Sequence, residues 1–424
     1  MCKGAIILNA QTGTARKSGA LEGLRVLDLS RILAGPTATQ LLADMGADVI
    51  KIERPGAGDD TRGWGPPFLE TRPDAMIQES AYFLSANRGK SSLAVDISVL
   101  RGQDIIRRLA EDSDVLVENF KLGDLERYGL DYGALRKINS RLIYCSISGF
   151  GRSGPNAHRA GYDFLVQAEG GLMSLTGNAE SAPMKAGVGV ADFVCGLFAS
   201  NAILAALQAR HRTGEGQHID LALIDCQMAM LVNQGVGYLT DGKVPPRRGN
   251  DHPTIVPYGV FPAADQDIIL AIGNDQQFRR FVTEAGAAHL ADSPDYARNK
   301  DRVLNRDRLI PQIAALTQQR PAEVWLLRLE ELGVPAGPVN DLKQVFEGAQ
   351  AQAREMCIAL PHKTAHNGKV ALIGNPIKYS ETPVQYHKGP PLLGEDSKTI
   401  LAERLGLSEA EILDLVKEGI VGTA

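Results

Sequence analysis

The run from residue 24 to residue 53 constrains the fold more than any other stretch. Residues 24–29, Leu-Arg-Val-Leu-Asp-Leu, read as a strand; Gly35-Pro36 then opens a helix with proline at its first position, and Gly46 stops it after about Met45. Residues 48–53, Asp-Val-Ile-Lys-Ile-Glu, read as the next strand. Two strands joined by one helix lie parallel, with a right-handed crossover. The pattern then repeats, with strands near 92–97, 115–119 and 141–148 and a helix over 99–111. Strands alternating with helices in this way predict an α/β domain wound on both faces of a parallel sheet.

From Tyr162 the texture becomes glycine-rich and helical. A small-residue strand is expected over 186–191, and behind Asp192 the side chains Phe193, Val194, Leu197, Phe198, Ile203, Leu204 and Leu207 recur at helical spacing. Arg210, His211 and Arg212 fill the last turn of this buried helix, and Gly214 stops it. A strand at 218–225 and a helix at 228–239 lead into a linker rich in Pro, Arg and Gly at 242–252. Beyond it, a strand pair within 256–272 and helices at 276–285, 303–317 and 322–332 predict a smaller domain, closed by Gly337-Pro338. Ser408 and Glu411 form a capping box for a terminal helix.

Length and composition narrow the function classes. A chain of 424 residues implies two or three domains. Forty-five Lys and Arg against 50 Asp and Glu leave a net charge of -5, which offers no basic footprint for nucleic acid or for an anionic membrane. The five cysteines are odd in number and never spaced C-x-x-C, which fits a reducing compartment and argues against a disulfide framework or a zinc ribbon. The most apolar stretch, 193–207, is broken by Gly196, Ser200 and Asn201, so no membrane span is expected. Residues 1–20 read as a flexible tail; Lys3, Arg16 and Lys17 faintly suggest an organellar leader but lack its amphipathic arginines. A soluble, cytoplasmic protein is the expectation.

Several motifs are weighed and set aside. Gly149-Phe-Gly151-Arg-Ser-Gly154 matches G-x-G-x-x-G after a strand, yet Pro155, Asn156 and His158 follow where a dinucleotide site needs a helix start, so a glycine-rich turn is the better reading. His362 and His366 have zinc-ligand spacing, but Lys363, Pro361 and Asn367-Gly368 mark a solvated loop, and no metal site is expected. Cys145 and Cys195 sit in apolar contexts and read as core. Asp192 stays open between two readings. It is a residue type favoured at helix starts, and it also stands behind Gly187, Gly189 and Ala191, where a ligand could approach closely and helix amides could face an anionic intermediate.

The ordered motifs Leu24-Arg-Val-Leu-Asp-Leu with Ala34-Gly-Pro, Gly46-Ala-Asp-Val-Ile-Lys-Ile-Glu, Gly58-Asp-Asp-Thr-Arg, Asn87-Arg-Gly-Lys and Val117-Glu-Asn-Phe resemble the class III CoA-transferases (CaiB/BaiF-like). Gly161-Tyr-Asp, Arg210-His-Arg-Thr-Gly-Glu-Gly-Gln and Pro390-Pro-Leu-Leu-Gly-Glu agree, so the resemblance spans the chain from Leu21 onward.

The resemblance implies a Rossmann-like large domain formed by 21–225 and a return segment 339–424, a linker helix and loop at 226–252, and an inserted α+β small domain at 253–338, in an interlocked homodimer. It implies CoA transfer from a succinyl-CoA-like thioester to a carboxylic acid, a dicarboxylate, with Asp192 as nucleophile and coenzyme A as substrate, and with no metal or prosthetic group. CoA contacts carried over by motif are Ile32, Leu33, Arg54, Val95, Asp96, Ile97, Ser98, Asn119, Arg127, Arg159, Ala160, Gly161 and Tyr162; Arg247 and His252 of the linker are assigned to the acid substrate. The two arginines Arg54 and Arg127 suit nucleotide phosphates, which guanidinium binds bidentately. Members acting on oxalate carry a tetraglycine loop, where this chain has Gly249-Asn-Asp-His252. The family's racemases pair an aspartate with a histidine where this chain has Tyr162, and a tyrosine with a pKa of ~10 is a poor base near neutrality, so transfer is preferred over racemisation, while Asp192 argues against an idle CoA-binding role.

Overall fold

A computed structural model describes residues 6–7, 18–75 and 78–424. Of the expected tail at 1–20, all but Ile6, Ile7 and residues 18–20 lies outside the described residues. The strands in chain order are β1 (Ile6–Ile7), β2 (Arg25–Asp28), β3 (Asp48–Glu53), β4 (Lys90–Val95), β5 (Val115–Glu118), β6 (Ile143–Ser148), β7 (His218–Ala222), β8 (Tyr258–Pro262), β9 (Asp267–Ala271), β10 (Ala336–Pro338), β11 (Cys357–Pro361), β12 (Lys369–Ile373) and β13 (Val421–Gly422). The chain divides into two compact units, one of Met1–Gly171, Ala186–Val236 and Phe346–Ala424, the other of Leu172–Lys185 and Gly237–Val345.

The first unit is built on a seven-stranded sheet in the order β13-β4-β3-β2-β5-β6-β7, parallel except for β13 at one edge. Its central strands are apolar on both faces because both faces are covered. Val26, Val49, Val115, Ile143 and Cys145 join one core with Ala38 and Leu42, whereas their neighbours Leu27, Ile50, Leu116 and Tyr144 join another with Ile105, Leu109, Leu401 and Leu415. Each Leu or Ile so buried contributes roughly 1.5–3 kcal/mol. A small sheet, β1-β11-β12, also belongs to this unit; its β11–β12 hairpin and the edge strand β13 were not expected from the sequence.

The long helix differs from its sequence reading. It begins at Val190 and runs to Thr213, and no strand forms over 186–191. It is only half buried. The small side chains Ala191, Cys195, Ala199 and Ser200 face the core with Ile203 and Leu207, while Phe193 (50%), Leu197 (41%) and Phe198 (41%) are exposed. The reason is close approach: a Cβ at Gly196 would stand 2.7 Å from the Ala34 carbonyl oxygen and 2.9 Å from Thr37 Cβ of helix Ala34–Asp44. The helix is long and apolar enough to cross a bilayer, but Asp192, Ser200 and Arg210 lie on its buried face.

His362 also departs from expectation, being buried in the turn after β11, whereas His366 is exposed. Among the described residues no three His, Cys, Asp or Glu side chains are grouped closely enough to share a metal ion.

In the second unit β8, β9 and β10 form an antiparallel sheet, in which Ala336, Gly337 and Pro338 pair with β9. Trp325, Phe278 and Phe281 fill its core. The buried Arg302 guanidinium donates to the carbonyls of Val256 and Tyr296 and to Asp275. Leu172–Lys185 joins this unit because its turn is hydrogen-bonded to the linker: the Gly249 amide donates to the Gly177 carbonyl, and the Arg247 side chain to the carbonyls of Asn178, Ala179 and Ser181.

Candidate active site

The loops at the C-terminal ends of β2 and β3 are fixed by charges buried beneath them, with Lys90 at the start of β4 contributing one of them. Lys90 Nζ lies 3.0 Å from Asp28 and also donates to the Pro36 carbonyl and to Asn87. Lys51 Nζ lies 2.9 Å from Asp59 and donates to the Ser30 carbonyl. Arg62 bridges Glu53 and Glu79, each at 2.7 Å. Burial alone would raise Asp28 and Asp59, but Lys90 and Lys51 beside Asp28 hold it below its ordinary value, and Lys51 brings Asp59 down to about 2. Burial lowers Lys90 to about 8.

This lattice sets the first loop. Ile32 adopts φ 70°, a strained conformation for a β-branched residue. Its amide donates to Asp59 Oδ1 at 3.3 Å, and Asn119 brackets the preceding residue, accepting from the Arg31 amide and donating to the Arg31 carbonyl. Asn119 thus acts as a clamp on the loop as well as lining the space beside it.

Two neighbouring cavities of about 380 and 400 Å³ open there, sharing Arg31, Phe120 and Asp124. The first is lined by Ile32, Leu33, Asn119 and Asp192 together with Arg159, Ala160, Gly161 and Tyr162. The second is lined by Arg54 and Arg127 together with Val95, Asp96, Ile97 and Ser98. The sequence-assigned residues of the first unit are therefore collected around this pair. Gly149 and Gly161 are required where their chains meet, since a Cβ on either would fall within about 2.5 Å of the other's backbone. The Gly149–Gly154 stretch is a turn, with Gly151 and Gly154 at positive φ and no helix behind it.

Asp192 sits in the first turn of its helix, past the N-cap Gly189, and is 7% exposed. Its carboxylate takes no hydrogen bond from the described residues. The expected free amides at this helix start are not there. Ala191 and Asp192 donate to Asp163 Oδ1 at 2.8 and 3.3 Å, Val190 donates to the Val188 carbonyl, and Phe193 to that of Gly189. Burial, and then the charge of Asp163, push the Asp192 carboxyl up to about 7. A carboxylate so placed is poorly solvated, hydrogen-bond-free and basic, the condition of an activated nucleophile.

His252 lies in the second unit with its ring against Tyr258 and is itself held below its usual value by burial and by Arg306. Arg247 is engaged by the carbonyls named above, and Arg248 is exposed. Sequence reasoning passed over Arg31, Trp64 and Tyr82. Arg31 and Trp64 line the first cavity; Arg31 pairs with Asp60 at 2.9 Å, and Trp64 meets Tyr82 edge-on at 5.3 Å. Burial, with Asp192 next, raises Tyr82 to about 12, which keeps a protonated phenol near the Asp192 carboxyl. Trp64 stands two residues beyond the Gly58-Asp-Asp-Thr-Arg motif, a signal in the sequence; the position of Tyr82 depends on the fold alone.

A wound parallel sheet, paired cavities at its strand ends and a buried, basic carboxylate between small residues define an α/β acyl-transfer enzyme. Residues 21–397 match the model of CoA-transferase family III, and the chain belongs to that family. It is 47% identical to the succinate–glutarate CoA-transferase of Agrobacterium fabrum over 92% of this chain and 97% of that protein. It is 43% identical to the succinyl-CoA:glutarate CoA-transferase of Mus musculus over 95% and 90%. The crystal structure of a CaiB/BaiF family protein from Brucella suis superposes with a TM-score of 0.81 at 45% identity, covering 92% of this chain and all of that one. The protein is a CoA-transferase, an enzyme whose substrates are CoA thioesters.

The raised Asp192 carboxyl has a consequence for stability. Its folded value of about 7 lies above the unfolded 3.8, so its contribution is present below pH 4 and is lost as pH rises towards 7. Asp192→Asn should therefore unfold at higher urea than the wild type at pH 8 and at nearly the same urea at pH 4. Equal midpoint differences at both pH values would show that Asp192 ionises normally.

Proposed function

We propose that this CoA-transferase moves CoA from a succinyl-CoA-like thioester to a dicarboxylic acid, glutarate being the first candidate, through an aspartyl-CoA on Asp192. The observation that carries the reading is the buried, hydrogen-bond-free Asp192 carboxylate on the wall of the first cavity. The glutarate transferases among its relatives support the substrate class.

In this mechanism an Asp192 oxygen attacks the thioester carbonyl and CoA thiolate leaves, giving a mixed anhydride. The thiolate then attacks the aspartyl carbonyl, forming the aspartyl-CoA thioester and releasing the donor acid. The acceptor carboxylate attacks that thioester and the two steps run in reverse, which restores Asp192. Every bond exchanged is acyl to oxygen or sulfur, so no metal or prosthetic group is called for. Arg54 and Arg127 are assigned to the nucleotide phosphates with Val95, Asp96, Ile97 and Ser98 beside them. Ile32, Leu33, Asn119 and residues 159–162 are assigned to the chain leading towards Asp192.

A homodimer is part of the proposal. Phe193, Leu197, Phe198, Met228, Val232 and Val236 are all exposed on the first unit, more apolar surface than an isolated chain ordinarily leaves to water. A cytoplasmic setting is supported by Cys145, Cys195 and Cys226, which are buried and unpaired.

Three measurements test these points. Hydroxylamine added during turnover should trap a hydroxamate at Asp192, and Asp192→Asn should lose acyl exchange; full activity in that variant refutes the mechanism. In a panel of acids, Arg247→Ala should raise KM for glutarate and succinate about tenfold more than for a monocarboxylate, since a charge-assisted contact is worth ~1.5–3 kcal/mol. An equal effect on both acid types would confine Arg247 to its carbonyl contacts. Sedimentation should give a dimer that persists on dilution, and a reversible monomer in the micromolar range would refute the assembly.

A further inference from the structure

We propose that Asp163 is a positioning residue for the nucleophile: it caps the Asp192 helix from a different helix, and its negative charge activates the Asp192 carboxylate. The inference rests on the reading of Asp192 as nucleophile.

Helix starts are ordinarily capped by the residue at the N-cap itself, through a neutral Ser, Thr or Asn or through an Asp. Here the N-cap is Gly189, which has no side chain to offer. The position is cramped, because a Cβ there would meet Leu33 Cδ2 at 3.1 Å and Asp163 Oδ1 at 3.7 Å. The cap comes from Asp163, at the start of helix Asp163–Glu169, through Oδ1 to the amides of Ala191 and Asp192. Its other oxygen accepts from Gln167 Nε2 at 2.6 Å. Gln167 is fully buried, and its Oε1 accepts from the Ala186 amide at 2.8 Å. One Asp–Gln pair thus holds both the segment before the nucleophile and the helix that carries it.

A neutral acceptor would suffice for holding. A charged one does something more. An aspartate in the first helical turn is ordinarily stabilised as an anion by the free amides and the helix dipole. Asp163 takes those amides and places a like charge beside Asp192, so the nucleophile keeps none of that stabilisation; the raised Asp192 carboxyl agrees. A carboxylate denied amides and held largely out of water attacks a thioester more readily.

The other ionisable groups around Asp192 are few. Tyr82 approaches from helix Ala81–Ser85, and Cys195 lies one turn along the same helix. On the cavity wall Arg31 pairs with Asp60 and Arg159 with Glu169. Lys121, Asp124, His158 and Tyr162 complete that wall. Among the described residues Asp163 is the one group that holds the Asp192 backbone while opposing its charge.

The test separates cap from charge. Asp163→Asn keeps an oxygen for the two amides and loses the charge. The pair Asp163→Asn with Gln167→Glu also restores the donor–acceptor match between the two side chains and to the Ala186 amide, giving up only the long 3.5 Å bond from residue 167 to the Val188 carbonyl, with the charge moved one side chain away. The acid limb of the kcat–pH profile should move down by about one unit in Asp163→Asn and by less in the paired variant. Aspartate-carboxyl 13C NMR titration without substrate should give the same order, which keeps the test readable if turnover is lost; should Asp163→Asn not fold, the paired variant is compared with the wild type alone. Unmoved limbs and titrations in folded variants would overturn the activating role. Mapping the hydroxamate in the wild type distinguishes the two readings: a trap at Asp163 or elsewhere sinks the nucleophile assignment, whereas a trap at Asp192 with unmoved limbs sinks only this inference.

Discussion

The floor of the active site depends on charges that have no access to water. Asp28, Lys51, Glu53 and Lys90 are buried on three adjacent strands, and Asp59 and Arg62 join them from the loop beyond β3. Removing one partner of such a set leaves the other as an uncompensated charge, at about 3–5 kcal/mol. The loops therefore have little freedom: Ser30 must present its carbonyl to Lys51, and Asp59 must face both Lys51 and the Ile32 amide. The left-handed Ile32, a conformation costing about 1–3 kcal/mol, persists because these contacts over-determine it. Electrostatic satisfaction below the sheet's edge becomes shape in the cavity above it.

The same dependence explains what could be read from the sequence. The parallel strands were legible because both faces are buried, which leaves short apolar runs between helix signals, and β2, β3, β5 and β6 fall within the predicted runs. Asp192 was legible as a carboxylate among small residues. Its surroundings were not: the cap from Asp163 is 28 residues away, and nothing local marks Gly189 as lacking a cap of its own. The strand expected over 186–191 failed because small residues carry no periodicity, so the start of the helix was set three residues late, at Phe193 instead of Val190. The β11–β12 hairpin was hidden by Pro361 and by the alternation of buried and exposed residues in β12, which on a single strand gives a weak signal. Arg247 drew attention as a linker cation, and only the fold reveals the three carbonyls it meets.

The helix from Val190 to Thr213 ties these levels together. To bring Asp192 beside Leu33 and Ala34, its axis must approach helix Ala34–Asp44 closely, and only Gly196 and neighbouring small side chains permit that distance. Spending the small residues on the inner face leaves the large ones, Phe193, Leu197 and Phe198, for the outer face, where in an isolated chain they meet water. The usual amphipathic logic, bulky apolar side chains inward, is inverted because the inner face is selected for proximity and not for apolar volume. An apolar outer face is then a direct consequence of the spacing that sets Asp192 beside Leu33 and Ala34, so the placement of that carboxyl and the exposure of the large apolar side chains arise from the same stretch of helix.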